Sequence, residues 1–264
     1  MDASTVAKAV HGADGLLLVV TGAGISLASG IPTFRGTDPG AVWKRDVTEL
    51  GTRRYFEEDP AGSWAWYLGR FASLEGARPN AGHTALVALE RWCHARGRSY
   101  LLVTQNIDGL HAAAGSQGLV EVHGAARKVR CSRDGCALGA PEGFLTRAEV
   151  DLGPFLRNPV REHVPRCSLC GEHLRQHVLW FDEYYNGHED YQWERVLGAA
   201  SSSALVLFVG TSFAVGVTDL VLSSARERGI LTFSVDPVPQ PLRGVTSIAS
   251  PSERFLPAVV EALG

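Results

Sequence analysis

Short, mostly apolar and β-branched runs recur along the chain: LLLVV at 16–20, YLLV at 100–103, LVEV at 119–122, ALVLFV at 204–209 and LTFSV at 231–235. A strand with one face in water alternates polar and apolar residues; runs that hardly alternate suit strands covered on both faces, as in a parallel sheet flanked by helices. Helical patterns lie between the runs. In HTALVALERWCHAR at 83–96, Leu86, Leu89 or Glu90, and Cys93 mark one face, and VTDLVLSSARER at 217–228 has a similar rhythm. This alternation predicts βαβ units and an α/β fold with a Rossmann-like, doubly wound parallel sheet. The rhythm breaks twice. Residues 37–82 are polar, dotted with Gly and Pro and rich in Trp, and residues 128–172 hold four of the five cysteines. Both segments are read as insertions that together form a smaller lobe, leaving approximately 1–36, 83–127 and 173–264 to the larger lobe of one domain.

Charge narrows the partners. With 25 Lys and Arg against 28 Asp and Glu, the formal charge is −3, so no broad cationic field is available to capture nucleic acid or an anionic membrane. The start, MDASTVAKAV, lacks the basic and apolar segments of a signal peptide, and no stretch approaches the roughly twenty apolar residues of a membrane span. A cytoplasmic protein without a membrane or nucleic-acid partner is the expectation.

The run LLLVV leads straight into TGAGISLASGIPTFRG at 21–36. A strand followed by Gly22 and Gly24 fits the start of a dinucleotide fold, where glycines allow a tight turn and a close approach of phosphate. The fingerprint is incomplete, because Leu27 stands at the third glycine position and no acidic strand end follows at the usual distance. A merely tight strand-to-helix turn is the alternative. Pro32 ends any helix begun at Gly24, and Phe34 and Arg35 follow as an aromatic face and a fixed cation, or as ordinary solvated residues. After YLLV, the stretch TQNIDGLH puts Gln105, Asn106 and Asp108 beyond a strand's carboxyl end, suited to ribose or carboxamide binding or to a plain turn. After LVEV comes His123, at the same end of the sheet, as a general base or a structural histidine.

Cys131 and Cys136 are followed by Cys167 and Cys170. Two thiolate pairs, each on a short knuckle, match one tetrahedral zinc ion with four cysteine ligands, although the first spacing is wider than usual. His163 and His173 are alternative ligands. Four cysteines fill the shell and leave no position for a catalytic water, so the ion is read as structural. Cys93 is read as a small core residue.

GAGISLASGIPTFR, PNAGHTAL at 79–86, TQNIDGLH, HG before a four-cysteine module, and GTS at 210–212 occur in an order that resembles the sirtuin family of NAD-dependent protein deacylases, over nearly the whole chain. The resemblance implies that NAD and an acyl-lysine protein substrate meet in a cleft between a Rossmann-like lobe and a zinc lobe. It implies that Gly22, Ala23, Gly24 and Ser26 hold phosphate and ribose, that Thr33, Phe34 and Arg35 form a lid, and that Gln105, Asn106, Ile107 and Asp108 hold nicotinamide and its ribose. Asn106 would also serve catalysis, His123 would be the base, Gly210, Thr211 and Ser212 would touch the cofactor, and Asp236 falls where the family usually has an Asn on the adenosine ribose. The implied reaction begins with attack of the acyl oxygen on the ribose carbon as nicotinamide leaves. His123 then deprotonates a ribose hydroxyl, and the products are free lysine and O-acyl-ADP-ribose. Rivals on the same residues are an ADP-ribosyltransferase or NAD hydrolase, and a non-catalytic NAD-sensing module.

In SWAWYLGR, Tyr67 and Arg70 lie one helical turn apart. The pair resembles the desuccinylase and demalonylase subgroup, with Arg70 suited to a distal carboxylate; the alternative is an amphipathic helix that packs Trp64 and Trp66 and leaves Arg70 in solvent. Val178 and Phe181, in RQHVLWFDE at 175–183, would line the acyl-peptide groove. Gln176 and Asp182 replace the proline and glycine of the common family pattern, and an added carboxylate there can change peptide choice, favour cationic substrates or occlude the groove.

Overall fold

The computed structural model describes residues 2–32 and 46–264, with the side chains of 46 and 47 left aside. Its strands in chain order are β1 (Leu16–Thr21), β2 (Tyr100–Thr104), β3 (Leu119–Glu121), β4 (Gly124–Cys131), β5 (Leu145–Thr146), β6 (Leu174–Val178), β7 (Ser203–Val209), β8 (Leu231–Asp236) and β9 (Thr246–Ala249). The five apolar runs became β1, β2, β3, β7 and β8. With β9 they form a parallel sheet in the order β3-β2-β1-β7-β8-β9. The chain steps outward from β1 to β2 and β3 and returns on the other side of β1 at β7. The loops after β1 and β7 therefore diverge at one point, the place where open α/β sheets form a ligand crevice.

Both faces of this sheet are dry, which explains the lack of alternation in LLLVV. Leu17 and Val19 face helices Ala3–Gly12, Ala81–His94 and Ser252–Leu263, while Leu18 and Val20 pack with residues of helices Trp193–Ser202 and Gly216–Glu227. Cys93 is buried in the first layer, as the helix pattern implied. The predicted helix at 83–96 spans Ala81–His94. It begins two residues early because the Asn80 side chain caps Gly82 N–H, while His83 Nδ1 accepts the Asn80 N–H.

A second sheet, β5-β4-β6, is antiparallel. One hydrophobic cluster joins it to helices Arg53–Glu58 and Pro60–Phe71, with Trp64, Tyr67, Phe71, Val129, Phe155 and Trp180 at its centre. Trp64 is fully buried and its Nε1–H donates to Leu174 O at 2.7 Å. Two buried cations, Arg130 and Arg175, converge on Glu183. Burial alone would raise that carboxyl group's pKa, but Arg175 and Arg130 outweigh it and hold the group below the usual range.

Buried neutral histidines make the fold acid-sensitive. Burial lowers His83 from 6.5 to about 4. The unfolded chain therefore binds a proton that the folded one refuses between these values, so stability is whole above pH 6.5 and falls as pH drops toward 4. At pH 5 the loss from His83 alone is about 2 kcal/mol. Urea unfolding of the zinc-saturated protein at pH 7 and pH 5 is expected to show a smaller fall for His83→Gln than for the parent. Equal falls would remove His83 from the account.

Candidate active site

Four loops meet at the carboxyl end of the parallel sheet. After β1 the chain forms a 3-10 turn, Ala23–Ser29, stopped by Gly30 in the left-handed region two residues before Pro32. Gly22 N–H donates to Val209 O at 3.0 Å and Gly24 N–H to Gly210 O at 2.9 Å, so these two glycines tie the loop to the end of β7. A Cβ on Gly24 would stand 2.7 Å from Gly210 Cα. Glycine is needed at 24 for this backbone crossing. Asn80, in the motif PNAGHTAL, braces the same loop through Ile25 O at 2.8 Å and Ser29 Oγ at 2.9 Å.

The loop after β2 locks onto this one. Gln105 Nε2 donates to Thr21 O and Thr211 Oγ1, both at 3.1 Å. Asn106, itself buried, donates from Nδ2 to Gly22 O and Ser26 Oγ, both at 3.1 Å, and Ser26 Oγ donates to Asp108 Oδ2 at 2.7 Å. Burial raises the pKa of Asp108 against the opposing bonds from Leu110 N–H, Ser26 and Asn106. Ile107 is half-buried beside this group and packs against the cluster around the antiparallel sheet. Thr211 is buried, Ser212 is exposed, and Phe213 takes a positive φ of 54°. Asp236 ends β8, where it accepts Val238 N–H at 2.9 Å, and burial raises its pKa.

His123 stands at the junction of the two sheets. Gly124 has φ 76°, and a Cβ there would overlap the His177 carbonyl, so only glycine lets the chain turn from β3 directly into β4. Leu179 N–H donates to His123 O at 3.0 Å and fixes the backbone. The ring's Nδ1 lies 2.9 Å from the Gln105 carbonyl, which can only accept, so the hydrogen is on Nδ1. Nε2 keeps its lone pair and faces the Tyr185 hydroxyl at 3.3 Å. Burial lowers His123 to about 4, against the Gln105 bond, so the ring is neutral at pH 7 and able to accept a proton.

The groove-side residues fall nearby in the chain. Val178 is buried and pairs with Gly124, while Phe181 is exposed and donates its N–H to Gly51 O at 3.0 Å. Asp182 accepts Arg53 N–H at 2.7 Å and Arg54 N–H at 3.2 Å, so its carboxylate caps helix Arg53–Glu58. Gln176 is buried in β6 and its amide has no partner among the described residues. Tyr67 is buried in the cluster that holds Trp180; Arg70 is half-buried with its guanidinium 4.6 Å from the centre of the Trp66 ring. Thr33, Phe34 and Arg35 lie outside the described residues.

Cys131, Cys136, Cys167 and Cys170 bring their sulfurs within 4.8 Å of one another. The pairs Cys131–Cys170 and Cys136–Cys167 are 3.4 and 3.7 Å apart. Tetrahedral zinc with bonds of about 2.3 Å needs sulfurs about 3.8 Å apart, so the four thiolates are placed to bind one zinc ion.

Sequence reasoning gave no role to Asn80 or Tyr185. Asn80 was visible as part of PNAGHTAL. Tyr185 sits in an irregular segment without periodicity, and nothing in the sequence marks it.

The Sir2 family model matches residues 22–217. An NAD-dependent protein deacylase of Thermus thermophilus is 40% identical over 225 residues, 85% of this chain and 80% of that protein. A crystal structure of a Sir2 homolog–NAD complex superposes with a TM-score of 0.78 at 29% identity, covering 98% of this chain and 93% of the other. A Sir2 structure with deacetylated p53 peptide and 3'-O-acetyl ADP-ribose gives 0.81 at 26%, covering 99% and 98%.

Proposed function

The chain belongs to the Sir2 family and is an NAD-dependent protein deacylase, and from that premise we propose which of its residues perform the reaction. The observation that carries the proposal is the neutral His123, with Nε2 unprotonated, beside the interlocked Gln105, Asn106, Ser26 and Asp108. Bound there, NAD supplies an electrophilic ribose carbon and nicotinamide as its leaving group. Gly22, Ala23, Gly24, Ser26, Gly210, Thr211 and Ser212 form the phosphate and ribose wall. Gln105, Asn106, Ile107 and Asp108 orient the nicotinamide end, with Asn106 close to the chemistry, and Asp236 takes the adenosine ribose. Thr33, Phe34 and Arg35 form the lid on sequence grounds. His123 Nε2 accepts the proton of a ribose hydroxyl so that this oxygen can take the acyl group.

Val178 and Phe181 flank the acyl-peptide groove. The exposed Asp182 carboxylate caps helix Arg53–Glu58 and in this reading supports the groove wall. The larger lobe carries the parallel sheet; the smaller one carries β4, β5 and β6 with helices Arg53–Glu58 and Pro60–Phe71, so 124–127 and 174–178 join it and not the larger lobe expected for them, and the two lobes enclose the cleft. Acylated proteins in the cytoplasm are the substrates in this reading. The near-balanced charge disfavours nucleic acid as a partner, and among the described residues no helix is long and apolar enough to cross a membrane.

Mass spectrometry after incubation with NAD and acetyl-, succinyl- or malonyl-lysine peptides tests the reaction. Deacylated peptide with O-acyl-ADP-ribose is expected; ADP-ribose formed without peptide would mean NAD hydrolysis, and an unchanged mixture despite NAD binding would mean a sensing module. Arg70 carries the acidic-acyl preference, since a guanidinium matches a terminal carboxylate in two bonds. Arg70→Met is expected to lower kcat/KM on succinyl-lysine about tenfold or more beyond its effect on acetyl-lysine. Equal losses on the two peptides would reject this role.

A further inference from the structure

The ring of Tyr185 lies near-parallel to that of His123, with centroids 5.7 Å apart at 26°, and stacks on Trp193 at 4.2 Å and 12°. Its edge also covers Gly216, at the start of helix Gly216–Glu227: a Cβ on Gly216 would touch Tyr185 Cε2 at 3.6 Å. Because Nδ1 carries the ring's hydrogen, Nε2 can only accept, so the Tyr185 hydroxyl, 3.3 Å away, is the donor. The half-buried phenol thus joins the segment after β6, the helix after β7 and the imidazole after β3.

We propose that Tyr185 is a positioning residue for His123: its hydroxyl holds the imidazole with Nε2 directed into the cleft until a ribose hydroxyl takes its place. The proposal rests on the reading of His123 as the base. Nδ1 alone, bonded to the Gln105 carbonyl, does not prevent the ring from tilting about that bond. The stack on Trp193 and the packing against Gly216 fix the phenol on the other side and supply the second point of support. The bond at 3.3 Å is longer than the roughly 2.8 Å usual for a hydroxyl donor, so an arriving hydroxyl can displace it at small cost. After displacement, the phenol remains held by Trp193 and the Gly216 turn beside the ring and limits its rotation during proton transfer.

Tyr185→Phe in the full-length, zinc-loaded protein keeps the ring, its stacking on Trp193 and the cover over Gly216, and removes only the hydroxyl. Two rates separate positioning from general damage. Exchange of labelled nicotinamide into NAD, with acyl peptide present, reports the step before the base acts, and peptide deacylation reports the whole sequence. The variant is expected to deacylate about tenfold more slowly, with exchange and the KM for NAD within about twofold of the parent. In the ligand-free variant, the 15N resonance of His123 Nε2 is expected to move toward that of a pyridine-like nitrogen without a donor. Unchanged deacylation, parallel loss of exchange and deacylation, or an unmoved Nε2 resonance would each overturn the proposal. His123→Ala, run alongside, must lose deacylation and keep exchange. If it keeps deacylation, the base assignment falls and the role of Tyr185 with it.

Discussion

His123→Ala is expected to lower peptide deacylation by about 10²–10⁴-fold while the fold is retained. The magnitude follows from removing the base's only proton-accepting atom; Nδ1 is committed to the Gln105 carbonyl, and no other base touches the Tyr185 hydroxyl among the described residues. The fold survives because the turn that carries residue 123 is made by the backbone. Gly124 in the left-handed region and the Leu179 N–H bond to O of residue 123 are indifferent to the imidazole. Steady-state deacylation, together with a thermal melt close to the parent's, checks both halves. Turnover within a few-fold of the parent would show that the proton leaves by another route.

The second large effect concerns zinc. Removing the ion with a chelator, or replacing Cys167 by Ser, is expected to abolish deacylation by loosening the lobe around β4 and β6. Four sulfurs held within 4.8 Å repel as thiolates unless a cation joins them, and a structural zinc site contributes roughly 10–16 kcal/mol of apparent binding free energy, comparable to a typical domain's whole stability. Cys131 ends β4 and contributes to the cluster that contains Val129, Leu174 and Trp180. Val178, in β6, pairs with Gly124 next to the base. Loss of the knuckles therefore reaches His123 through two strands. Hydrogen exchange is expected to quicken across 124–180 and to stay slow in β1 and β7, whose partners lie in the other sheet. Metal-free protein with full activity, its zinc content checked by elemental analysis, would contradict this account.

Much of the parallel sheet was legible because its strands are buried on both faces, and a strand such as Leu16–Thr21 then carries an unbroken apolar run. Edge strand β9, Thr246–Ala249, buries only Ile248 fully and left no such trace. The antiparallel sheet was hidden for a related reason. β4 carries Arg127, Lys128 and Arg130; Glu121 meets the first from 6 residues away, but Asp190 and Glu183 meet the other two from 62 and 53 residues away. A strand with that composition reads as a loop until its partners are known.

The candidate site divides in the same way. By itself the sequence determined the residue types at the sheet's carboxyl end, the four cysteines and the family, since glycines, amides, a histidine and thiols at fixed spacings narrow the chemistry before any contact is known. Tertiary structure decided how those residues are used. It turned the N–H groups of Gly22 and Gly24 toward the end of β7, fixed the hydrogen of His123 on Nδ1, gave the Asp182 carboxylate to a helix end and brought Tyr185 to Nε2. Spacing along a chain fixes only local geometry. Hydrogen-bond partners 18, 62 and 129 residues apart are chosen by packing, and only the folded chain brings them within reach.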